Sequence, residues 1–200
     1  MSEIAKSEIA KSFHNLVELV QEFGGGRNPI TGQELKTPKI EDDLNPPASS
    51  TAILDLEKVL GFTLSADLRQ LLTLHDGQVG NGPPAFGLYS FLPINQMLEI
   101  YQTHKGFPAG EKQKSKLQDD RLQPVWWHPG WLPVGEWEQS ELTVDLSPTN
   151  AGTAGQVFLL NNNWTDPWIV APSLNDFLLI TLEKTTKDPS FSYEYESYIQ

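Results

Sequence analysis

Two histidine–aspartate combinations in this sequence have the residue types that acid–base catalysis or metal binding uses. Asp76 follows His75 directly, and His128 can be combined with Asp145 further along the chain. A histidine titrates near neutral pH, and a carboxylate can orient it or share a metal ion with it. His75, however, lies on the apolar face and at the C-terminal end of a predicted helix, where a cation interacts favourably with the helix dipole. We therefore interpret His75 as a structural residue.

The further residues that a known catalytic site requires are missing from the sequence. It has no cysteine, which excludes thiol catalysis, disulfides and cysteine-based zinc sites. It also has no Gly-x-Ser-x-Gly turn and no His-Glu-x-x-His metal motif. Residues 24–26 are three glycines, but they follow a predicted helix and lack the lysine of a phosphate loop, so we interpret them as a helix stop. The sequence thus predicts a protein without enzymatic activity, metal or cofactor.

Residues 122–183 combine all six tryptophans with a complete absence of lysine and arginine. Tryptophan fills protein cores and is also frequent among interface hot spots. Six exposed indoles would form a patch that monomers rarely tolerate, so we expect about half of them in the core. Stacking on sugar rings is the alternative, and a glycosidase would need two converging carboxylates. Glu138 and Asp145 are a pair that can be named, but their spacing does not demand that role.

The net charge of −12 is spread evenly along the chain. It argues against nucleic acid as a partner, because phosphate contacts need clustered lysine and arginine. It is compatible with a basic protein partner, although solubility alone also explains it. The start of the chain has no apolar signal-peptide core, and no run reaches the length of a membrane span. We therefore expect a cytoplasmic protein that does not enter the membrane.

The positions of glycine, proline and apolar residues divide the chain into segments. We predict an N-terminal helix within residues 1–26 and a polar loop or linker rich in proline and glycine over 27–49. A domain should then occupy residues 50–187, with a polar insertion at 105–123 that carries the one locally basic patch. The remaining residues, 188–200, form an acidic and aromatic tail.

Helix signals precede the strand signals within that domain. Ser50 is predicted to cap a helix that ends at Gly61, and Ser65 to cap the next one. Pro93 opens a further short helix. Ser173, followed three residues later by an aspartate, opens the closing helix in a capping-box arrangement.

Strand patterns lie at residues 86–92, 131–134, 142–146, 156–160 and 164–170. They follow one another too closely for helical crossovers, which predicts an α+β fold with a mainly antiparallel sheet and helices packed on one side. Within 142–146, Thr143 and Asp145 should point away from the apolar residues. We therefore expect Asp145 on a sheet face that the helices leave open.

Five pieces of this sequence stand in the order typical of one family. They are Gly61–Leu68 with the helix running to Leu74–Gln78, Gly87–Tyr89 leading to Phe91–Pro93, Trp127–Gly135, Leu142–Leu146 with Gly155–Val157, and Ala171–Ser173 before Phe177 and Leu178. On these pieces the chain resembles the SUKH superfamily from about Ser50 to Lys187. That superfamily contains fungal cell-wall-assembly regulators and many bacterial immunity proteins.

The resemblance implies a curved sheet with helices packed against it and no shared catalytic residues. It also implies action by binding proteins, which are toxin domains in bacteria and signalling enzymes in fungi. We expect an immunity protein that occludes the active site of a basic toxin with its acidic sheet face. The alternative is a regulatory scaffold for cell-wall assembly or signalling, and a carbohydrate-binding protein comes third. The candidate contact residues are Glu136, Glu138, Glu141, Asp145, Trp164, Asp166 and Trp168.

Overall fold

The sheet is a meander in which sequential strands are also neighbours. The computed structural model describes residues 7–24, 39–80, 82–106, 119–161 and 167–188. Its strands are β1 (Ser90–Phe91), β2 (Trp131–Trp137), β3 (Ser140–Asp145), β4 (Gln156–Asn161) and β5 (Trp168–Ala171). They pair in the order β1-β2-β3-β4-β5, and every pair is antiparallel. The α+β class and the antiparallel sheet predicted from the sequence are thereby confirmed.

Six helices accompany this sheet in the described part of the chain. They are α1 (Glu8–Gly24), α2 (Ile40–Asp43), α3 (Ser50–Leu60), α4 (Ala66–Leu72), α5 (Ile94–Lys105) and α6 (Leu174–Lys187). Local signals set several of their ends. Gly61 ends α3 in the left-handed conformation with φ of 75°, which costs glycine little. The hydroxyl groups of Ser65 and Ser173 accept hydrogen bonds from backbone N–H groups in the first turns of α4 and α6. The cap of α3 is Ser49 and not the predicted Ser50.

The N-terminal helix is part of the core. The side chains of Phe13 and Leu16 are buried, and the Ser12 hydroxyl donates to Asn175 Oδ1 on α6 at 2.9 Å. The ring of Phe13 meets those of Phe86 and Phe91 edge-on, each with centroids 6.1 Å apart. Such edge contacts between buried rings add to the stability that the burial itself gives. Helix α1 therefore belongs to the same folded unit as the sheet.

Two elements differ from the sequence prediction. Helix α2 lies in the stretch that we predicted as a loop. The Ile40 side chain is buried, and the Ile40 N–H donates a hydrogen bond to Gln21 Oε1 on α1. One apolar residue in four gives no periodicity, so a tertiary contact decides this turn of helix. The strand predicted over residues 86–92 shortens to Ser90–Phe91. The tail beyond residue 188 and most of the predicted insertion, residues 107–118, lie outside the described residues.

Both faces of the sheet are covered along β3. On one face, Gly135 pairs with Leu142 beside Phe86, whose ring contacts Phe13 of α1 and Phe177 of α6. On the other face, α5 places His104 against Glu141. Every residue of β3 is consequently buried, and the sheet has no open face along this strand.

Candidate protein-binding site

Asp145 is fully buried on the face that we expected to be open. Its Oδ1 accepts the N–H of Ser147 at 2.9 Å, and its Oδ2 accepts the side-chain amide of Gln156 at 3.0 Å. Burial raises the pKa of this carboxyl, and these hydrogen bonds oppose the rise. The segment before β2 closes over the group, since Gln156 also donates to the backbone of Arg121. The expectation that Asp145 faces solvent is wrong.

Glu141 is also buried. It lies on the same face of β3 as Asp145. The His104 Nε2 atom lies 2.8 Å from both of its carboxylate oxygens. This pair joins α5 to the sheet. Glu141 therefore contributes to packing in the folded protein and is not available to a partner at the surface.

Glu136 and Glu138 are exposed, as a role in binding requires. Glu136 lies near the end of β2, between Ser90 of β1 and Glu141 of β3. Partial burial raises its pKa, and the charge of Glu141 raises it further. Glu138 is in the two-residue turn between Trp137 and Ser140, with φ of 52°. A non-glycine residue with positive φ is uncommon and costs conformational energy.

The tryptophans divide between core and surface. Trp127 and Trp131 are buried, Trp137 and Trp168 are half-buried, and Trp126 is 37% exposed. Trp168 is part of β5, next to β4. The two remaining predicted contact residues, Trp164 and Asp166, lie outside the described residues.

A cleft at the β1 edge brings two of the predicted acids together with residues that sequence reasoning missed. It has a volume of about 270 Å³. Its walls are Gln78, Val79, Gly80, Ser90, Phe91, Leu92, Gln96, Glu136, Trp137 and Glu138. Val79 is 58% exposed, so the cleft presents apolar surface beside the two carboxylates. No motif or periodicity in the sequence marks Val79 or Gln96 as contact residues.

The candidate catalytic pair His75 and Asp76 makes contacts within the fold to α1, α5 and the segment before α3. His75 Nδ1 lies 3.0 Å from the carbonyl oxygen of Asn45, and its ring lies against Phe13. Asp76 Oδ1 accepts the N–H of Ile94 at the start of α5. A methyl group on Gly77 would lie 2.2 Å from the backbone nitrogen of Pro93, so this position requires glycine.

The second candidate pair does not form. His128 Nδ1 accepts the N–H of Gly130 at 3.0 Å, and burial lowers the pKa of the ring. The Asp145 carboxylate accepts its hydrogen bonds from Ser147 and Gln156 and not from His128. The described residues contain no group of three or more His, Cys, Asp or Glu side chains arranged to hold a metal ion. They also contain no helix long and apolar enough to cross a membrane.

An α+β unit with an antiparallel meander is the architecture that the SUKH resemblance implied. Residues 47–180, which are 134 of the 200 positions, match the SMI1 / KNR4 family (SUKH-1). The chain therefore belongs to this family.

Curated relatives of the chain come from fungi. A glucan synthesis regulatory protein of Neurospora crassa is 26% identical over 73% of this chain and 35% of its own length. The cell wall biosynthesis/cell cycle regulator smi1 of Schizosaccharomyces pombe is 32% identical over 62% of this chain and 28% of its own length. A KNR4/SMI1 homolog of Yarrowia lipolytica is 23% identical over 73% of this chain and 28% of its own length.

The chain spans about a third of the length of these relatives. Two of them are named as regulators and none of the three as an enzyme. These names support the regulatory alternative that we placed second. They give no support to the immunity role that we placed first.

Proposed function

We propose that this chain is a non-catalytic regulatory module that acts in the control of cell-wall synthesis by binding a protein partner. Membership of the SMI1 / KNR4 family carries this proposal, together with the regulatory names of its Neurospora crassa and Schizosaccharomyces pombe relatives. Because the chain matches about a third of each relative's length, the proposal is confined to the part of such a regulator that this chain matches.

The use of the polar side chains favours binding over catalysis. A general acid or base must reach a substrate with a titratable group. Among the described residues, Asp76, Glu141 and Asp145 are each hydrogen-bonded to the backbone or to side chains of the fold. Glu136 and Glu138 are exposed and line the cleft at the β1 edge. A cleft with two exposed carboxylates and apolar walls is suited to recognising a partner.

The burial of Glu141 and Asp145 weakens the mechanism that we expected for an immunity protein. That mechanism needed a broad acidic sheet face pressed into a basic active site. The described part of β3 presents no such face. A smaller contact at the sheet edge fits a regulator that binds and releases its partner, because transient contacts are smaller than permanent ones.

Replacement of the matching segment in the Schizosaccharomyces pombe regulator tests this function. The chimera carrying the present chain should restore glucan content and resistance to wall-digesting enzymes in cells that lack the regulator. A Gly77→Val chimera serves as the control, because the added side chain would collide with Pro93 and prevent folding. If the unmodified chimera, which keeps Gly77, accumulates as folded protein and the walls stay defective, the proposed function is wrong.

A further inference from the structure

We propose that the cleft at the β1 edge binds a short basic segment of the partner protein. In this arrangement an aliphatic side chain lies against Val79 and Trp137, and a neighbouring lysine or arginine lies beside Glu136 and Glu138. The proposal rests on the regulatory binding function proposed above and assigns it a site and a partner chemistry.

The cleft is at the small end of the range for ligand pockets. Its volume of about 270 Å³ lies just below the range of about 300–1,000 Å³ typical of ligand and cofactor pockets. A cleft of this size accepts one or two side chains of an extended segment. Val79, which is 58% exposed, and the half-buried ring of Trp137 supply the apolar contact. The Trp137 ring lies edge-on to Tyr89 with centroids 6.5 Å apart, which favours this orientation of the indole before a partner binds.

Charge selects a basic segment. Glu136 and Glu138 are the charged residues among those that line the cleft, and no cation stands among them. The pKa of Glu136 is raised by partial burial and by the charge of Glu141. A lysine or arginine beside Glu136 would stabilise its charged form and lower that pKa again. An arginine or lysine could also lie over the face of Trp137, where a cation is attracted to the ring.

The sheet edge excludes one common mode of peptide binding. A partner strand that extended the sheet would need the free backbone groups of β1. The N–H of Phe91 donates to Gln78 Oε1 at 2.9 Å, and its carbonyl accepts the N–H of Gln78 at 2.8 Å. Gln78 thus occupies the edge at Phe91 as a strand would. Recognition in the cleft therefore depends on side chains of the bound segment and not on added strand pairing.

Fluorescence anisotropy with labelled short peptides tests the proposal on the full chain. One peptide set has a central leucine flanked by lysine or arginine, and a matched set has glutamine in place of each basic residue. The basic set should bind, and the double variant Glu136→Gln/Glu138→Gln should weaken its binding at least about tenfold. The control variant Glu18→Gln/Glu22→Gln removes the same charge from exposed positions of α1, and it should change binding less than about twofold.

Equal binding of the glutamine peptides, or equal loss in the two variants, would overturn the proposal. Self-association of the chain that the cleft variant abolishes would also overturn it, because the occupant would then be a second copy. The chimera separates this result from the proposed function. If the unmodified chimera restores the wall but basic peptides do not bind, the cleft proposal is wrong and the regulatory function stands. If the peptides bind in the cleft but the chimera does not restore the wall, the cleft proposal stands and the proposed regulatory function is wrong.

Discussion

The His104 imidazole on α5 and the Glu141 carboxylate on β3 form a buried pair, with Nε2 at 2.8 Å from each carboxylate oxygen. The two residues are 37 positions apart in sequence. Their contact fixes the helix on the sheet face that carries Thr143 and Asp145. This face is therefore closed along β3, and of the four candidate acids that the structure describes, Glu136 and Glu138 are the two that remain exposed.

Replacement of one member of this pair should destabilise the fold more than replacement of both. His104→Leu leaves the Glu141 carboxylate buried without its imidazole partner, and the expected loss is about 3 kcal/mol of unfolding free energy. The double variant His104→Leu/Glu141→Met should lose less unfolding free energy than either single variant, because its two apolar side chains pack together and leave neither member of the pair buried without its partner. Urea unfolding of the three variants measures the cycle. Additive losses would show that the two residues do not interact.

Replacement of Gln78 should cause a large loss of unfolding free energy. Its Oε1 accepts the N–H groups of Ala85 and Phe91 at 2.8 and 2.9 Å, and its Nε2 donates to Asp43 Oδ2 at 2.9 Å. Gln78→Leu leaves two buried donors without an acceptor, at a cost of about 1–3 kcal/mol each.

Gln78→Glu provides a matched test of the same site. It keeps the size and the acceptor but places a second carboxylate beside Asp43. Its unfolding free energy should therefore increase as the pH falls toward the range in which a carboxyl is protonated. The Gln78→Leu variant has no group to titrate there, so its unfolding free energy relative to the wild type should not show that gain. Urea unfolding over a pH series compares the two, and parallel curves would mean that Gln78 does not contact Asp43.

Local signals in the sequence predicted the parts of the fold that local interactions decide. Gly61 ends α3 because it adopts the left-handed conformation, and Ser65 and Ser173 cap helices through hydrogen bonds three residues along the chain. The strand periodicity of residues 142–146 located β3 to within two residues. Such features depend on neighbours in sequence, and a single sequence contains them.

The environment of the acids could not be predicted in this way. Alternation of polar and apolar residues indicates two faces but does not indicate what covers each. Asp145 is closed in by Gln156 and Ser147, and Glu141 by His104. The cleft was missed for the same reason, because Val79 and Glu136 meet through the pairing of β1 with β2.

Glu138→Gly should stabilise the protein. The backbone at Glu138 has φ of 52° in a two-residue turn, and a side chain in that region costs about 1–2 kcal/mol. Glycine removes this cost but increases the entropy of the unfolded chain, so the net gain should be about 0.5–1 kcal/mol. Glu138→Ala removes the same charge and keeps the strain, so it should give no gain. A rise in melting temperature for both variants alike would attribute the effect to charge and not to the turn.

Asp145 should make the stability of the protein depend on pH in the opposite sense to an ordinary paired carboxylate. Burial raises the pKa of this group in the folded state above its usual value of 3.8, against the opposing hydrogen bonds. Between the unfolded and folded pKa values the folded state binds more protons, so the contribution of Asp145 to stability is complete below the lower value and is lost as the pH rises through the higher one. Asp145→Asn cannot titrate and should lack this loss.

Urea unfolding of the wild type and of Asp145→Asn across the acidic to neutral range measures the effect as a difference. Glu57 and Asp119, whose pKa values are lowered in the folded state, contribute equally to both proteins and cancel in that difference. The unfolding free energy of the wild type minus that of the variant should fall as the pH rises above about 4. A difference that increases with pH would mean that the hydrogen bonds from Ser147 and Gln156 outweigh burial, and that Asp145 is held as a charged group inside the fold.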